Sequence, residues 1–159
     1  MAKAIELKLK EGDVAPEFSV NAGSGKISLA DYLGKNVILY FYPRDDTPGC
    51  TKEACAFRDN SKKFTKADTV IVGVSPDKSA AQASFKTKYD LPFTLLADAD
   101  HAVAEAWGVW KEKSMYGRKY MGVERTTFLI DKKGKVLRIF PKVKIEGHAD
   151  EVLKAVAAL

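Results

Sequence analysis

The chain has 159 residues, of which 46% are hydrophobic and 30% are charged. This length and apolar content suit one domain with an ordinary hydrophobic core, and we expect a single domain over residues 1–159. The formal charge of +5 and the pI near 9.1 come from lysines that are interleaved with acidic residues. This pattern indicates a solvated basic surface and argues against a nucleic-acid partner.

The first twelve residues mix lysines with Glu6 and Glu11 and contain no apolar segment of the kind found in signal peptides. We therefore expect a soluble, cytoplasmic protein that does not engage a membrane, although a chain whose targeting segment had been removed would show the same sequence. The two cysteines fall in one short segment and are too few for a secreted disulfide scaffold. The two cysteines therefore suggest a chemical role more than a structural disulfide.

Strand and helix patterns alternate in the first half of the chain. The predicted elements are, in order, an extended region containing Pro16, a loop at 21–26, a strand at Val37–Phe41, a helix from about Cys50, a strand at Val70–Val74, a turn at 75–77 and a helix from about Ser79 to Tyr89. A strand, a crossover helix and a second apolar strand form a βαβ unit, which implies a parallel pair of strands.

The second half changes to a helix, a hairpin and a last helix. The predicted elements are a short helix at Ala102–Trp107, an exposed loop over Lys111–Lys119, strands at Thr126–Ile130 and Lys135–Phe140 joined by a turn at 131–134, and a final helix at Ala149–Leu159. The whole order matches an α/β, thioredoxin-like fold with a central mixed sheet flanked by helices and an N-terminal extension.

Cys50 stands where the chain leaves a buried strand and enters a helix. Pro48 and Gly49 form an unusual turn directly before it. At a helix N-terminus, unpaired backbone N–H groups and the positive end of the helix dipole stabilise an anion. We therefore predict that Cys50 reacts as a thiolate. The alternative, a small apolar core residue, is weak for Cys50 and about as good as the chemical interpretation for Cys55.

Four residues separate Cys50 from Cys55. On one regular helix their α-carbons would lie roughly 8–9 Å apart, beyond the ~7 Å that a disulfide tolerates. A bridge between them would therefore require the start of the helix to unwind. The helical period places Cys50 on the core side and Cys55 on the solvent side. The core side also carries Ala54, Phe57 and Phe64, and the solvent side carries Asp59 and Lys62.

The remaining chemical motifs are absent from the sequence. His101 and His148 have no Cys or His companion at metal-ligand spacing, so we predict no metal site and interpret both as surface or capping residues. No serine–histidine elbow, Walker-type loop or dinucleotide fingerprint is present, and Gly23-Ser24-Gly25 indicates only a turn.

Pro43, Thr47 and Cys50 form a Pro-x-x-x-Thr-x-x-Cys pattern. Together with the segment TPGCTKEAC at 47–55, this pattern closely resembles the Q-type peroxiredoxins, also called bacterioferritin-comigratory proteins. The resemblance continues through the segments 91–98, 124–131 and 143–148 and so covers nearly the whole chain.

This resemblance implies a thiol-dependent peroxidase that reduces hydrogen peroxide and organic hydroperoxides in antioxidant defence. It implies that Cys50 is the peroxidatic cysteine and Cys55 the resolving cysteine of the same chain, linked during turnover by a disulfide that thioredoxin reduces. The residues that it places around the substrate are Thr47, Gly49, Arg125 and Pro43. It implies no metal, haem or flavin cofactor. Because both cysteines belong to one chain, we expect a monomer.

Two other functions are compatible with parts of the sequence. A disulfide oxidoreductase acting on protein thiols would suit the predicted sheet, but it expects two residues between its cysteines and this chain has four. A non-enzymatic, redox-controlled binding module would use the aromatic residues around Trp107 and Trp110. Tryptophans of this kind more often belong to the core or cover a sheet.

Overall fold

The computed structural model describes residues 9–22 and 25–159, and it confirms the α/β class with a central mixed sheet. Residues 1–8, with most of the N-terminal stretch considered above, lie outside the described residues, as do residues 23–24 of the predicted loop and turn. Within the described ranges, no helix is long and apolar enough to cross a membrane.

Nine strands and five α-helices make up the described part of the chain. The strands are β1 (Ser19–Asn21), β2 (Lys26–Ser28), β3 (Asn36–Phe41), β4 (Thr69–Ser75), β5 (Thr94–Ala97), β6 (Trp110–Met115), β7 (Arg118–Val123), β8 (Thr126–Ile130) and β9 (Val136–Phe140). The helices are a 3-10 helix (Leu29–Tyr32), α1 (Pro48–Asp59), α2 (Ser61–Lys66), α3 (Ser79–Lys88), α4 (Ala102–Ala106) and α5 (His148–Ala157).

The central sheet has the strand order β5-β4-β3-β8-β9. β3 is parallel to β4 and antiparallel to β8, as the predicted βαβ unit and hairpin require. Phe41, the last residue of β3, pairs with Thr126, the first residue of β8. The chain segment before β8 therefore lies beside the loop that leaves β3. This register brings Arg125 to the end of the sheet at which α1 begins.

Alternate residues of β3 face two separate core layers, as expected for a strand buried on both sides. Leu39 and its odd-numbered neighbours pack in the layer that contains Trp107. Tyr40 and its even-numbered neighbours pack in the layer that contains Phe57 of α1 and Val152 of α5. Because Cys50 belongs to this second layer, α1 is held against the sheet by the side of the helix that carries the cysteine.

The helix that contains Cys50 begins close to its predicted start but ends before Lys62 and Phe64, which the prediction placed on its faces. It begins at Pro48, with Thr47 as the N-cap residue, and it stops at Asp59. Asn60 leaves the helical conformation at ψ 6°, and its side-chain amide donates to the carbonyl of Ala56 at 2.8 Å. The side-chain amide thus bonds a carbonyl of the last turn of the helix. Helix α1 is therefore a separate unit of 12 residues, and Phe64 and Lys62 belong to α2.

The predicted exposed loop over Lys111–Lys119 is wrong, because this segment forms the antiparallel hairpin β6–β7. Its two turn residues, Tyr116 and Gly117, have φ values of 52° and 77°. Two positive φ values in a two-residue connection match the twist of a hairpin. The sequence hides this hairpin because most of its side chains on both faces are exposed, so no apolar alternation marks the strands.

Candidate active site

Cys50 is the third residue of α1 and is 1% exposed. The first main-chain hydrogen bond into the helix runs from the N–H of Thr51 to the carbonyl of Thr47, at 2.8 Å. The N–H groups of Gly49 and Cys50 precede this bond, so they belong to the unpaired donors of the helix start and are available to an anion. The prediction that Cys50 opens a helix is confirmed.

Arg125 connects the sheet to this helix through a forked contact. One terminal nitrogen, Nη2, donates to the sulfur of Cys50 at 3.2 Å, and the other, Nη1, donates to Oε1 of Glu53 at 2.6 Å. Burial alone would lower the pKa of Arg125, but the charges of Glu53 and Cys50 raise it above its ordinary value. The guanidinium is therefore always charged, and its N–H group favours the thiolate form of the sulfur.

Glu53 is the main residue of the site that sequence reasoning missed. Its side chain is 1% exposed, and its second oxygen, Oε2, has no hydrogen-bond partner among the described residues. Burial raises the pKa of Glu53 to about 7, although Arg125 acts to lower it. The helical period carried a signal for this residue, because positions three apart share a helix face and Glu53 follows Cys50 at that spacing.

Tyr40 lies in the core layer beneath the helix. Its ring centroid is 4.8 Å from that of Phe57, and its buried hydroxyl has no partner among the described residues. Burial, followed by the nearby charges of Glu53 and Cys50, raises the pKa of Tyr40 well above its ordinary value. The phenol therefore stays protonated and places a neutral donor in the interior near these two acidic groups.

Thr47 and Pro43 lie on the loop between β3 and Cys50, and both are partly buried. The hydroxyl of Thr47 donates to the carbonyl of Arg44 at 3.0 Å. A hydroxyl has one proton and two lone pairs, so this bond leaves the oxygen of Thr47 free to accept a hydrogen bond. The geometry therefore supports acceptance of a hydrogen bond from a ligand over donation to the sulfur of Cys50.

At Gly49 there is little room for a side chain. A Cβ added at this position would lie 3.1 Å from Cδ1 of Ile145 and 3.5 Å from Nη2 of Arg125. The absence of a side chain therefore lets both residues approach the turn before Cys50 closely.

Cys55 lies further along α1 and is partly exposed, as its predicted placement on the solvent side requires. Both cysteines are free thiols in this structure. The core-side placement of Cys50, Ala54 and Phe57 is also confirmed, since each of them is at most 1% exposed. The two sulfurs thus occupy different surroundings on the same helix.

His148 is neither the surface residue nor the capping residue that the sequence predicts, because it is 3% exposed and the N-cap of α5 is Gly147. Its Nε2 is hydrogen-bonded to Oγ1 of Thr127 at 2.8 Å, and its Nδ1 lies 3.1 Å from Oε1 of Glu151. Burial lowers the pKa of His148, while Glu151 acts to raise it. The ring meets Phe57 edge-on at 5.9 Å, so this histidine supports α1 from the core side.

Across residues 9–22 and 25–159, no cluster of three or more His, Cys, Asp or Glu side chains is arranged to hold a metal ion. The two tryptophans pack in or against the core, as the sequence analysis favours. Trp107 is 2% exposed and Trp110 is partly buried, so neither supplies the open aromatic surface of a non-enzymatic binding module.

Comparison with known proteins identifies the family. Residues 11–139 match the model of the AhpC/TSA family. The chain is 52% identical over 148 residues to a putative peroxiredoxin, bcp, of Coxiella burnetii, covering 92% of this chain and 98% of that protein. The chain belongs to the AhpC/TSA family of peroxiredoxins. Peroxiredoxin Bcp of Escherichia coli K12 is 46% identical over 146 residues, with coverage of 91% and 94%.

Solved structures agree with this assignment. The bacterioferritin comigratory protein of Xanthomonas campestris has a TM-score of 0.85 at 39% identity, covering 89% of this chain and 90% of that one. The thioredoxin-like fold and the peroxiredoxin family expected from the sequence are both confirmed. Members of this family are thiol peroxidases, which act on hydroperoxides and are regenerated by a thiol reductant.

Replacing Glu53 by Gln should remove a pH dependence of folding. Burial raises the pKa of Glu53 in the folded chain to about 7 from its ordinary 4.5. The folded state therefore keeps a proton that the unfolded state has released, and this contribution to stability is lost as pH rises from about 4.5 to about 7. In urea unfolding, the stability of the wild type minus that of Glu53→Gln should decline between about pH 5 and pH 8.

Subtracting the unfolding free energy of the variant from that of the wild type cancels the contributions of the other buried groups. Burial also raises the pKa of Asp45 to about 7 and lowers that of His148, but both residues are present in both proteins. A difference in unfolding free energy that stays constant over this pH range would contradict the assignment to Glu53.

Proposed function

We propose that the peroxidase reaction of this chain takes place at Cys50. The observation that supports this most strongly is the contact between the guanidinium of Arg125 and the sulfur of Cys50, 3.2 Å long, at the first turn of a helix. An arginine and a helix start each favour a thiolate, and the two act here on one sulfur.

In the first step, the thiolate of Cys50 attacks the terminal oxygen of a hydroperoxide. The new S–O bond forms as the O–O bond breaks, and the departing oxygen takes up the proton of the peroxide. The products are sulfenate at Cys50 and water or an alcohol. Arg125 would stabilise the charge that builds on the peroxide oxygens. The hydroxyl oxygen of Thr47 can accept a hydrogen bond from the O–H group of the peroxide and so orient the substrate.

An anionic sulfur alone would not make this step fast. The nucleophilicity of a thiolate falls as its basicity falls, so positive charge beside the sulfur slows attack unless it also activates the substrate. Arg125, which donates to the sulfur, and the N–H groups of Gly49 and Cys50, which the helix start leaves unpaired, would serve both purposes. Pro43 would shield this space from water.

In the second step, the thiol of Cys55 condenses with the sulfenic acid of Cys50 and releases water. Helix geometry separates the two α-carbons by roughly 8–9 Å, so α1 must open before the sulfurs can meet. Opening requires the loss of the Arg125 contact to Cys50 and of the first helical bond at Thr51.

In the third step, a dithiol reductant restores both cysteines. We propose thioredoxin in this role, because the family implies a thiol reductant and a protein dithiol can return two electrons in one encounter. The cytoplasmic location, the monomeric state, the single domain and the absence of a cofactor, all expected from the sequence, are part of the same proposal.

The substrates that we propose are hydrogen peroxide and organic hydroperoxides. The Xanthomonas campestris relative has alkyl peroxide reduction activity, which supports the organic class for this chain. A protein-disulfide oxidoreductase remains less well supported, since the spacing of Cys50 and Cys55 differs from the one such enzymes use.

Cysteine variants test the two thiol roles separately. Cys50→Ser should consume no peroxide with thioredoxin present, because the attacking sulfur is gone. Cys55→Ser should consume about one equivalent of peroxide per chain and then hold a sulfenic acid, detectable by mass spectrometry after trapping with a carbon nucleophile. Continued turnover by Cys50→Ser would refute the assignment.

Arg125→Lys tests the fork. A lysine keeps the charge but has no planar pair of donors for Cys50 and Glu53, so the rate of Cys50 oxidation should fall on the order of 10²-fold in stopped flow. The matched control is Arg58→Lys, because Arg58 lies on α1 itself but donates to the carbonyl of Tyr89 and not to Cys50. Equal losses in the two variants would contradict a specific role for Arg125.

Opening of α1 is tested by amide hydrogen exchange. Residues 48–55 should exchange faster in the oxidised protein than in the reduced protein, because the bridge is incompatible with the helix. Strand β3 provides the internal control and should stay protected in both states, since all six of its residues are buried. Identical exchange of residues 48–55 in the two states would rule out unwinding.

A further inference from the structure

The hairpin β6–β7 leads directly into the active site. Val123 ends β7, and Arg125 follows two residues later. The base of the hairpin is fixed by the N–H of Glu124, which donates to the carbonyl of Val109 at 2.8 Å, and by an ion pair between Lys111 and Glu124 at 3.6 Å. The hairpin is therefore an extension of the segment that carries the arginine of the site.

Lys113 links the hairpin electrostatically to the active site. Lys113 is partly buried in a stretch where its neighbours are exposed, and it pairs with Tyr120 across the two strands. Partial burial and the nearby charge of Arg125 lower the pKa of Lys113, while the charge of Cys50 acts to raise it. Lys113 therefore lies within electrostatic range of both site residues.

The hairpin exposes large apolar side chains along its strands and at its turn. The described residues contain seven large hydrophobic side chains that are exposed, and four of them lie in this hairpin. They are Met115 (56% exposed), Tyr116 (98%), Tyr120 (43%) and Met121 (50%). Aromatic residues and methionine are enriched in the contacts of protein interfaces. A concentration of these residue types in 14 residues indicates a surface that binds another protein.

The hairpin also carries a net positive charge. Its cationic side chains are Lys111, Lys113, Arg118 and Lys119, and its one acidic side chain is Glu112. A partner on this surface would therefore be acidic. A second copy of this chain is disfavoured as the partner, because a twofold contact would place the same cationic hairpins against each other.

We propose that the hairpin β6–β7 is the docking surface for the protein dithiol that reduces the enzyme, and that this reductant presents an acidic surface with an apolar patch near its cysteines. The proposal rests on the reaction proposed above. A reductant must bring its sulfur to bonding distance of the Cys50–Cys55 disulfide. Because β7 ends two residues before Arg125, which contacts Cys50, a reductant seated on the hairpin would lie beside the site.

The chemistry of the encounter is an ordinary thiol–disulfide exchange. One thiolate of the reductant attacks a sulfur of the Cys50–Cys55 bridge, forms a mixed disulfide and releases the other cysteine as a thiolate. The second thiol of the reductant then attacks its own partner sulfur and releases the remaining cysteine. Two electrons pass to the enzyme, its two thiols are restored, and the reductant leaves as a disulfide.

The test reverses two charges at the tip of the hairpin. Arg118→Glu with Lys119→Glu leaves the turn residues Tyr116 and Gly117 intact. At low salt, kcat/KM for a thioredoxin of net negative charge should fall roughly tenfold or more, and the loss should shrink as salt is added. Oxidation by hydrogen peroxide and turnover driven by dithiothreitol, a small neutral dithiol, should stay unchanged.

A matched control distinguishes an effect of the hairpin from an effect of the net charge of the protein. Lys62→Glu with Lys63→Glu makes the same charge change at two exposed positions of α2 and should slow reduction by thioredoxin far less. Equal slowing in the two double variants, or no slowing in either, would overturn the docking proposal. A loss of dithiothreitol-driven turnover in the hairpin variant would also overturn it. The same holds if sedimentation shows a dimer of the wild type that is lost in the hairpin variant but kept in the α2 variant.

The apolar part is tested by Tyr116→Asn, since asparagine accepts the positive φ of this position in the turn. In Tyr116→Asn the KM for thioredoxin should rise severalfold, by the same factor at low and high salt. Leu33→Ser, which changes another exposed hydrophobic residue, should leave this KM unchanged. An unchanged KM in Tyr116→Asn would remove the apolar contact from the proposal. Failure of the reaction itself would look different, because the wild type would then consume no peroxide with either reductant.

Discussion

The fork of Arg125 between Cys50 and Glu53 is the interaction on which the site depends. One partly buried cation faces two acids, and its two N–H bonds of 3.2 and 2.6 Å are directed at different partners. An ionised Glu53 competes with the sulfur for the charge of Arg125 more strongly than a protonated Glu53 does. Since burial raises the pKa of Glu53 to about 7, the protonation of Glu53 bears on the electrostatic field at the sulfur near neutral pH.

The sheet makes this fork possible, because no local sequence brings its members together. Arg125 and Cys50 are 75 residues apart in the chain. The parallel pairing of β3 with β4 and the antiparallel pairing of β3 with β8 place both residues at one end of the sheet. Arg125 is therefore rigid from its backbone outward, and a rigid donor needs no reorganisation when charge develops on the substrate.

The sequence predicted what depends on local chemistry or on a nearly continuous motif. Cys50 at a helix start, the buried strand Val37–Phe41 and the two sides of α1 all follow from periodicity and turn residues, and Arg125 from the resemblance to the family. Burial of polar groups is set by tertiary packing, so Glu53 and His148 were missed or misplaced. The hairpin was missed for the opposite reason, since its exposed strands bury too few side chains to leave a pattern.

In the proposed reaction, the same helix must be firm for the first step and open for the second, and its contacts differ between its two halves. The end that carries Cys50 is held by Arg125 and by the first turn of backbone bonds, and oxidation of the sulfur alters the acceptor in the first of these. The second half is anchored differently. Phe57 is fully buried between Tyr40 and His148, and Arg58 donates to the carbonyl of Tyr89. In the proposed second step, loss of the sulfur contact would therefore free the first turns of α1, while apolar packing would hold the rest.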